Sequence, residues 1–181
     1  MARTWLSIRV ELVGGRGEHC WPRPGRVFAA APTHTFTDLA AAIDTAFGRW
    51  DRAHLHTFDL ADGALVVDAG TWDDLPQVGE VHDGRALTLD RLALGEQLAY
   101  TFDLGDDWEH CCTVEDARID PTETLGIEPS EPMPFWGWGE LPDQYGRRWS
   151  ADDGESDPPP NPGLADLPPL RPLWGTNWGA S

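Results

Sequence analysis

Three histidines and four acidic residues are the side chains of this sequence whose types and spacing could do chemistry. His54 and His56 flank Leu55, and on a strand that spacing puts both imidazoles on one side, which suits a divalent metal such as zinc. The others, Asp103, Asp106, Asp107, Glu109 and His110, fall within the stretch Leu98 to Asp116. An aspartate-rich turn can supply oxygen ligands or orient an imidazole. His54, His56, His110 and Asp103 are therefore candidate metal ligands. Asp106, Asp107 and His110 are candidate acid–base groups for a metal-activated water. The competing reading is structural: the histidines hydrogen-bond buried backbone or carboxylates, and Gly105-Asp106-Asp107 is turn chemistry. No HExxH, paired CxxC, GxGxxG, P-loop or Gly-x-Ser-x-Gly stands in the chain to favour another mechanism. Geometry disfavours a thiol nucleophile, because Cys111 and His110 are strand neighbours facing opposite ways, while Cys112 shares the face of His110 and reads as core.

Elements of two periodicities must position these groups. Tyr100, Phe102 and Leu104 alternate with polar residues, as do Trp108, His110, Cys112 and Val114 beyond Gly105, which reads as a hairpin. An odd loop keeps the apolar residues of both strands on one face. A three-residue loop with Asp107 left-handed would set Leu104 opposite Trp108, Phe102 opposite His110 and Tyr100 opposite Cys112. It would also oppose Asp103 and Glu109, a like-charge pair that is unfavourable unless something cationic shares the site. Leu6, Ile8, Val10 and Leu12 mark an opening strand, and Arg26 to Ala30 its return. Thr35-Phe36-Thr37-Asp38 has the spacing of a capping box, so a helix is expected over roughly Thr37 to Phe47, stopped by Gly48. His54, His56 and Phe58 then share a strand face, with Ala64 to Asp68 as partner across Asp62-Gly63. Thr88 to Leu92 reads as one helical turn.

The 181 residues suit one domain with a sizeable core. A net charge of −18 argues against general nucleic-acid binding, since phosphate contacts rely on Lys and Arg. Cys20, Cys111 and Cys112 form no even framework, which fits a reducing, cytoplasmic setting, and no apolar run approaches the length of a membrane span. Eleven of the sixteen prolines and five of the ten tryptophans follow Glu128, where periodicity fades. That composition divides the chain into a domain over 1–127 and a Pro/Gly/Trp-rich extension over 128–181, which is too aromatic for a solvated tail. We read the extension as an arm wrapped on the domain. Its tryptophans Trp136, Trp138 and Trp174 either pack on the chain's own sheet or dock a protein partner.

Three segments together resemble a known family, the plasmid pRiA4b ORF-3-like proteins, also labelled insertion-element passenger TnpR proteins. They are Phe36 to Phe47 with Gly48 and Trp50, His54 to Phe58, and Ala99 to His110. The resemblance covers roughly Leu6 to Glu115 and implies a small, single α+β domain with a mainly antiparallel sheet and few helices. It implies no activity. The recombinase sense of the TnpR label finds no serine-centred cluster or basic helix in the matching segments. The chain departs from the family's pattern at Pro22 and Pro24, where a basic Trp-Arg-Arg strand is usual, and lacks the cysteines often seen near the C-terminus.

The sequence thus describes an α+β domain with one principal helix, expected to act as a binding or interaction module, with a metal-assisted hydrolase as the alternative.

Overall fold

The computed structural model describes residues 3–68, 70, 79–147, 152–153 and 155–157. Its strands are β1 (Leu6–Gly15), β2 (Glu18–His19), β3 (Gly25–Ala30), β4 (His56–Asp59), β5 (Leu65–Val67), β6 (Val81–Asp83), β7 (Gln97–Phe102), β8 (Trp108–Val114) and β9 (Met133–Trp138). All nine belong to one sheet with the path β6-β5-β4-β7-β8-β1-β3-β9, β2 pairing with β1 to one side. Every pairing is antiparallel except β5 with β6. Helix α1 (Phe36–Ala46) lies on one face, and a second, short helix α2 (Pro121–Leu125) follows β8. The protein is therefore a single α+β domain built on a mixed, mainly antiparallel sheet.

The apolar positions of β1, Leu6, Ile8, Val10 and Leu12, are all fully buried, and they join Phe28, Phe58, Tyr100, Phe102, Cys112 and Val114 under α1. Helix α1 starts where its capping box predicts: Thr35 Oγ1 accepts from the Asp38 amide, and the Asp38 carboxylate accepts from the Thr35 amide. Its buried stripe of Phe36, Leu39, Ala40 and Ile43 seals the core. The small side chains of Ala40, Ala42 and Ala46, which pack on this core, let the helix approach the sheet closely. A smaller cluster of Trp5, Ala29, Ala31, Leu125 and Met133 is separate from this core. Its helix α2 is capped by Asp120, whose carboxylate accepts from the amides of Thr122 and Glu123, begins on Pro121 and ends at Gly126 with φ 75°.

The central hairpin differs from expectation. Phe102 pairs with Trp108, Tyr100 with His110 and Leu98 with Cys112, so the loop runs from Asp103 to Asp107 rather than over three residues. Three and five are both odd, so the faces are as expected, but the register is displaced and Leu104 is exposed at the tip. Asp103 leaves the strand at φ 60° and its carboxylate accepts from the amides of Gly105 and Asp106. This Asx turn widens the loop. Asp107 is left-handed at φ 50°, as expected. Glu109 lies opposite Thr101, so the Asp103–Glu109 repulsion does not arise. Trp108 lies across Gly15, where any Cβ would collide with the indole.

The extension is not a featureless arm throughout. Met133–Trp138 adds to β3 as the outermost strand, and Leu141 joins the main core. Thr88 to Leu92 forms a 3₁₀ turn, Leu89–Arg91. Among the described residues no helix is long and apolar enough to cross a membrane.

Candidate functional site

The histidine and aspartate candidates do not meet at one point. His54, just ahead of β4, is held on both ring nitrogens. Nδ1 lies 3.2 Å from Asp103 Oδ2, and Nε2 lies 2.9 Å from the Tyr145 hydroxyl and 3.5 Å from Asp51 Oδ2. Asp103 is itself 7 % exposed and spends its other oxygen on the loop amides. This pair is an anchor between the hairpin loop and the chain entering β4.

His56 faces a cleft on the helix side of the sheet, where its Nε2 is 3.8 Å from Asp68 Oδ1. Burial lowers the His56 pKa from its ordinary value, with the Asp68 charge acting the other way. His110 is nowhere near this cleft's mouth. It is fully buried, with its ring edge-on to Phe47 and tilted over Tyr100, and Nδ1 donates to the Tyr100 carbonyl. Desolvation, reinforced by the Arg49 charge, pushes its pKa down to about 3, so it is neutral. Neither Asp106 nor Asp107 lines the cleft. Asp106 binds the Arg16 amide through its carbonyl, and Asp107 is exposed at the loop end. The Tyr100 ring stands between His56 and His110, packing on both, while Asp106 and Asp107 lie in the hairpin loop outside the cleft. Among the described residues no group of three or more His, Cys, Asp or Glu side chains is placed to hold a metal ion. The zinc expectation finds no ligand set there.

What the structure does assemble is a cleft of about 210 Å³ between α1 and β4, lined by Thr37, Asp44, Arg52, His54, His56 and Asp68. Asp44 is its most perturbed member. It is 5 % exposed on the last turns of α1, and burial raises its pKa from 3.8 to about 7 against the opposing pull of the Tyr100 hydrogen bond, Arg52 and Arg49. Tyr100, fully buried on β7, donates its hydroxyl to Asp44 Oδ1 at 2.8 Å, and Arg52 Nη1 stands 3.9 Å from Oδ2. Arg52 is latched beside the helix by hydrogen bonds to the Arg49 carbonyl and to Thr45 Oγ1. Opposite, Asp68 accepts from Thr37 Oγ1 at 2.6 Å. A carboxyl that changes charge near neutrality, a guanidinium and a neutral imidazole thus converge on one small volume. That set can bind a polar molecule or exchange a proton with it.

Pattern reading missed Asp44, Arg52 and Asp68. Asp44 had a signal, being an acidic residue on the helix's apolar stripe one position after Ile43. The docking candidates also divide. Trp136 is 61 % exposed on β9, Trp138 is covered by Arg9 and donates Nε1–H to the Arg23 carbonyl, and Trp174 lies outside the described residues.

Comparison with known proteins bears on the fold. The family model described as plasmid pRiA4b ORF-3-like protein matches residues 5–131. A solved protein of unknown function from Methanosarcina mazei Go1 is similar in structure, with a TM-score of 0.57, 21 % identity, and coverage of 74 % of this chain and 68 % of that one. No curated protein matches the chain.

Proposed function

Because the chain belongs to the plasmid pRiA4b ORF-3-like family, whose description states no activity, we propose its function from the cleft: a cytoplasmic binding module that holds a small polar ligand between α1 and β4. The observation that carries this reading is Asp44, a desolvated carboxyl that lines an open cleft with its charge poised at about pH 7. Structural carboxyls are normally paired in full, and among the described residues Asp44 has the Tyr100 hydroxyl at hydrogen-bond distance and Arg52 only at 3.9 Å. A cleft of about 210 Å³ is smaller than the roughly 300–1,000 Å³ typical of drug-sized sites, so the ligand is of fragment size. It would offer a hydrogen-bond donor to Asp44 and an acceptor to Arg52.

Titration of the labelled protein with a panel of small amines, amides and amino acids, followed by amide NMR, tests the proposal. Ligands should shift Thr37, His56 and Phe102 together, and Asp44→Asn should weaken them. Shifts confined to other surfaces, or unchanged affinity in Asp44→Asn, would remove the cleft from consideration. The metal-assisted alternative is less favoured, since His54 has both nitrogens engaged. A protein partner remains a second reading on one observation, the exposed Trp136 on the outermost strand.

A further inference from the structure

Arg49 follows α1 and is buried to 1 % exposure, yet its Nε, Nη1 and Nη2 have no hydrogen-bond partner among the described residues. The guanidinium sits over the Trp108 indole, its Cζ 3.8 Å from the ring centre. That stack satisfies a face of the group and none of its N–H donors. Two further orphaned atoms belong to its immediate surroundings, Trp108 Nε1 and His110 Nε2. Trp108 and His110 are alternate residues on the inner face of β8, and the Arg49 charge acts directly on His110. Because His110 Nδ1 donates to a carbonyl, the Nε2 of this neutral ring is an acceptor.

Leaving a buried charge without a hydrogen-bonded counterpart is strongly unfavourable. The charges of Asp44 and Asp143 act on Arg49 through space, but among the described residues no carboxylate pairs with it directly. Asp44 is bound to Tyr100, and Asp143 is bound to Trp50 Nε1 and Arg147. Burial lowers the Arg49 pKa only to about 10, so the group stays charged at neutral pH.

We propose that Arg49, Trp108 and His110 form a second binding site, for a small oxyanion. The guanidinium edge matches the two oxygens of a carboxylate-like group, and the indole N–H adds a donor. His110 Nε2 accepts from the hydroxyl of a singly protonated oxyanion, favouring a monoanion that carries one O–H. The orphaned nitrogens have no open surface, so entry requires a local opening, which we assign to the segment 141–147. That segment is fastened to the chain after Arg49 by polar contacts. Gln144 Oε1 accepts from the amides of Trp50 and Asp51 at 2.9 and 3.0 Å, and the Tyr145 hydroxyl reaches Asp51 at 2.5 Å and His54 at 2.9 Å. Such a polar fastening can open locally at less than the cost of global unfolding.

The test is a titration of the wild-type protein with formate and with hydrogencarbonate, against chloride at matched ionic strength and constant pH. It is read on the Arg49 Nε–H and Trp108 indole N–H resonances. Both should shift saturably with the oxyanions, hydrogencarbonate at the lower concentration, and the Trp108 shift should vanish in Arg49→Met. This variant keeps an apolar stem and removes an unpaired buried charge, so it should fold. Gln144→Ala, which loosens the segment, should speed the exchange. The wild-type experiment decides without any variant: if neither resonance moves, or both drift linearly with salt, the site does not bind oxyanions. A Trp108 response retained in Arg49→Met overturns the proposal equally.

Discussion

Replacing Asp44 by Asn should make the protein more stable at alkaline pH and leave it little changed in acid. Asn keeps the shape of the side chain and an oxygen that can accept from the Tyr100 hydroxyl, so what it removes is the ionisation. The Asp44 pKa is about 7 in the folded chain against 3.8 as its ordinary value. Between those two pH values the folded chain keeps a proton that the unfolded chain has released. Stability therefore falls as pH rises through this window and levels off above pH 7. The full difference is about 3 pH units, or on the order of 4 kcal/mol at about 1.4 kcal/mol per unit. The part accessible between about pH 5 and pH 8 is roughly 3 kcal/mol. Arg52 and Arg49 already oppose the shift, so their rearrangement would reduce the gain further. Urea unfolding of both proteins at pH 5, 6, 7 and 8 gives the variant-minus-wild-type difference, from which His56 and all other titrating groups cancel to first order. The difference should grow in favour of Asn with pH. A pH-independent difference, or a variant less stable at pH 8, would mean that Asp44 is solvated or ion-paired in solution and that the cleft lacks the poised carboxyl on which its function rests.

Trp108→Ala should cost on the order of 3–5 kcal/mol in urea unfolding, the range for deleting a buried large aromatic. The ring is 3 % exposed, covers Gly15 and carries the Arg49 guanidinium, so a loss below about 1 kcal/mol would refute its place in the core. Zinc added to the wild-type protein should leave its thermal midpoint unchanged, since a ligand raises stability only by binding the folded state. A rise that disappears in the His54→Ala, His56→Ala double variant would restore the metal reading.

Local patterning determined the longer elements, whereas β2, β6, β9 and α2 follow from no period in the sequence. Alternation in β1, β7 and β8 named the buried residues, because side chains on a strand can only face one side or the other. Thr35 and Asp38 placed the start of α1 through groups only three residues apart. The His56 and Phe58 face was legible for the same reason, as was the left-handed Asp107. Tertiary structure decided the rest. The hairpin register could not be read, since loops of three and five residues keep the same faces and only the Asp103 turn, tied to His54, selects the longer one. His110 shares an apolar face with Trp108, but whether that face meets solvent or the Tyr100 ring depends on α1 closing over it. Asp44 looked like one more polar residue of a helix until β7 brought Tyr100 beneath it, 56 residues away in the chain. Arg49 and the Gln144 segment are joined across more than ninety residues by the amides of Trp50 and Asp51. A burial energy is set by everything that surrounds a group, whereas sequence periodicity reports only what its near neighbours require. The candidate sites accordingly rest on contacts that no local pattern encodes.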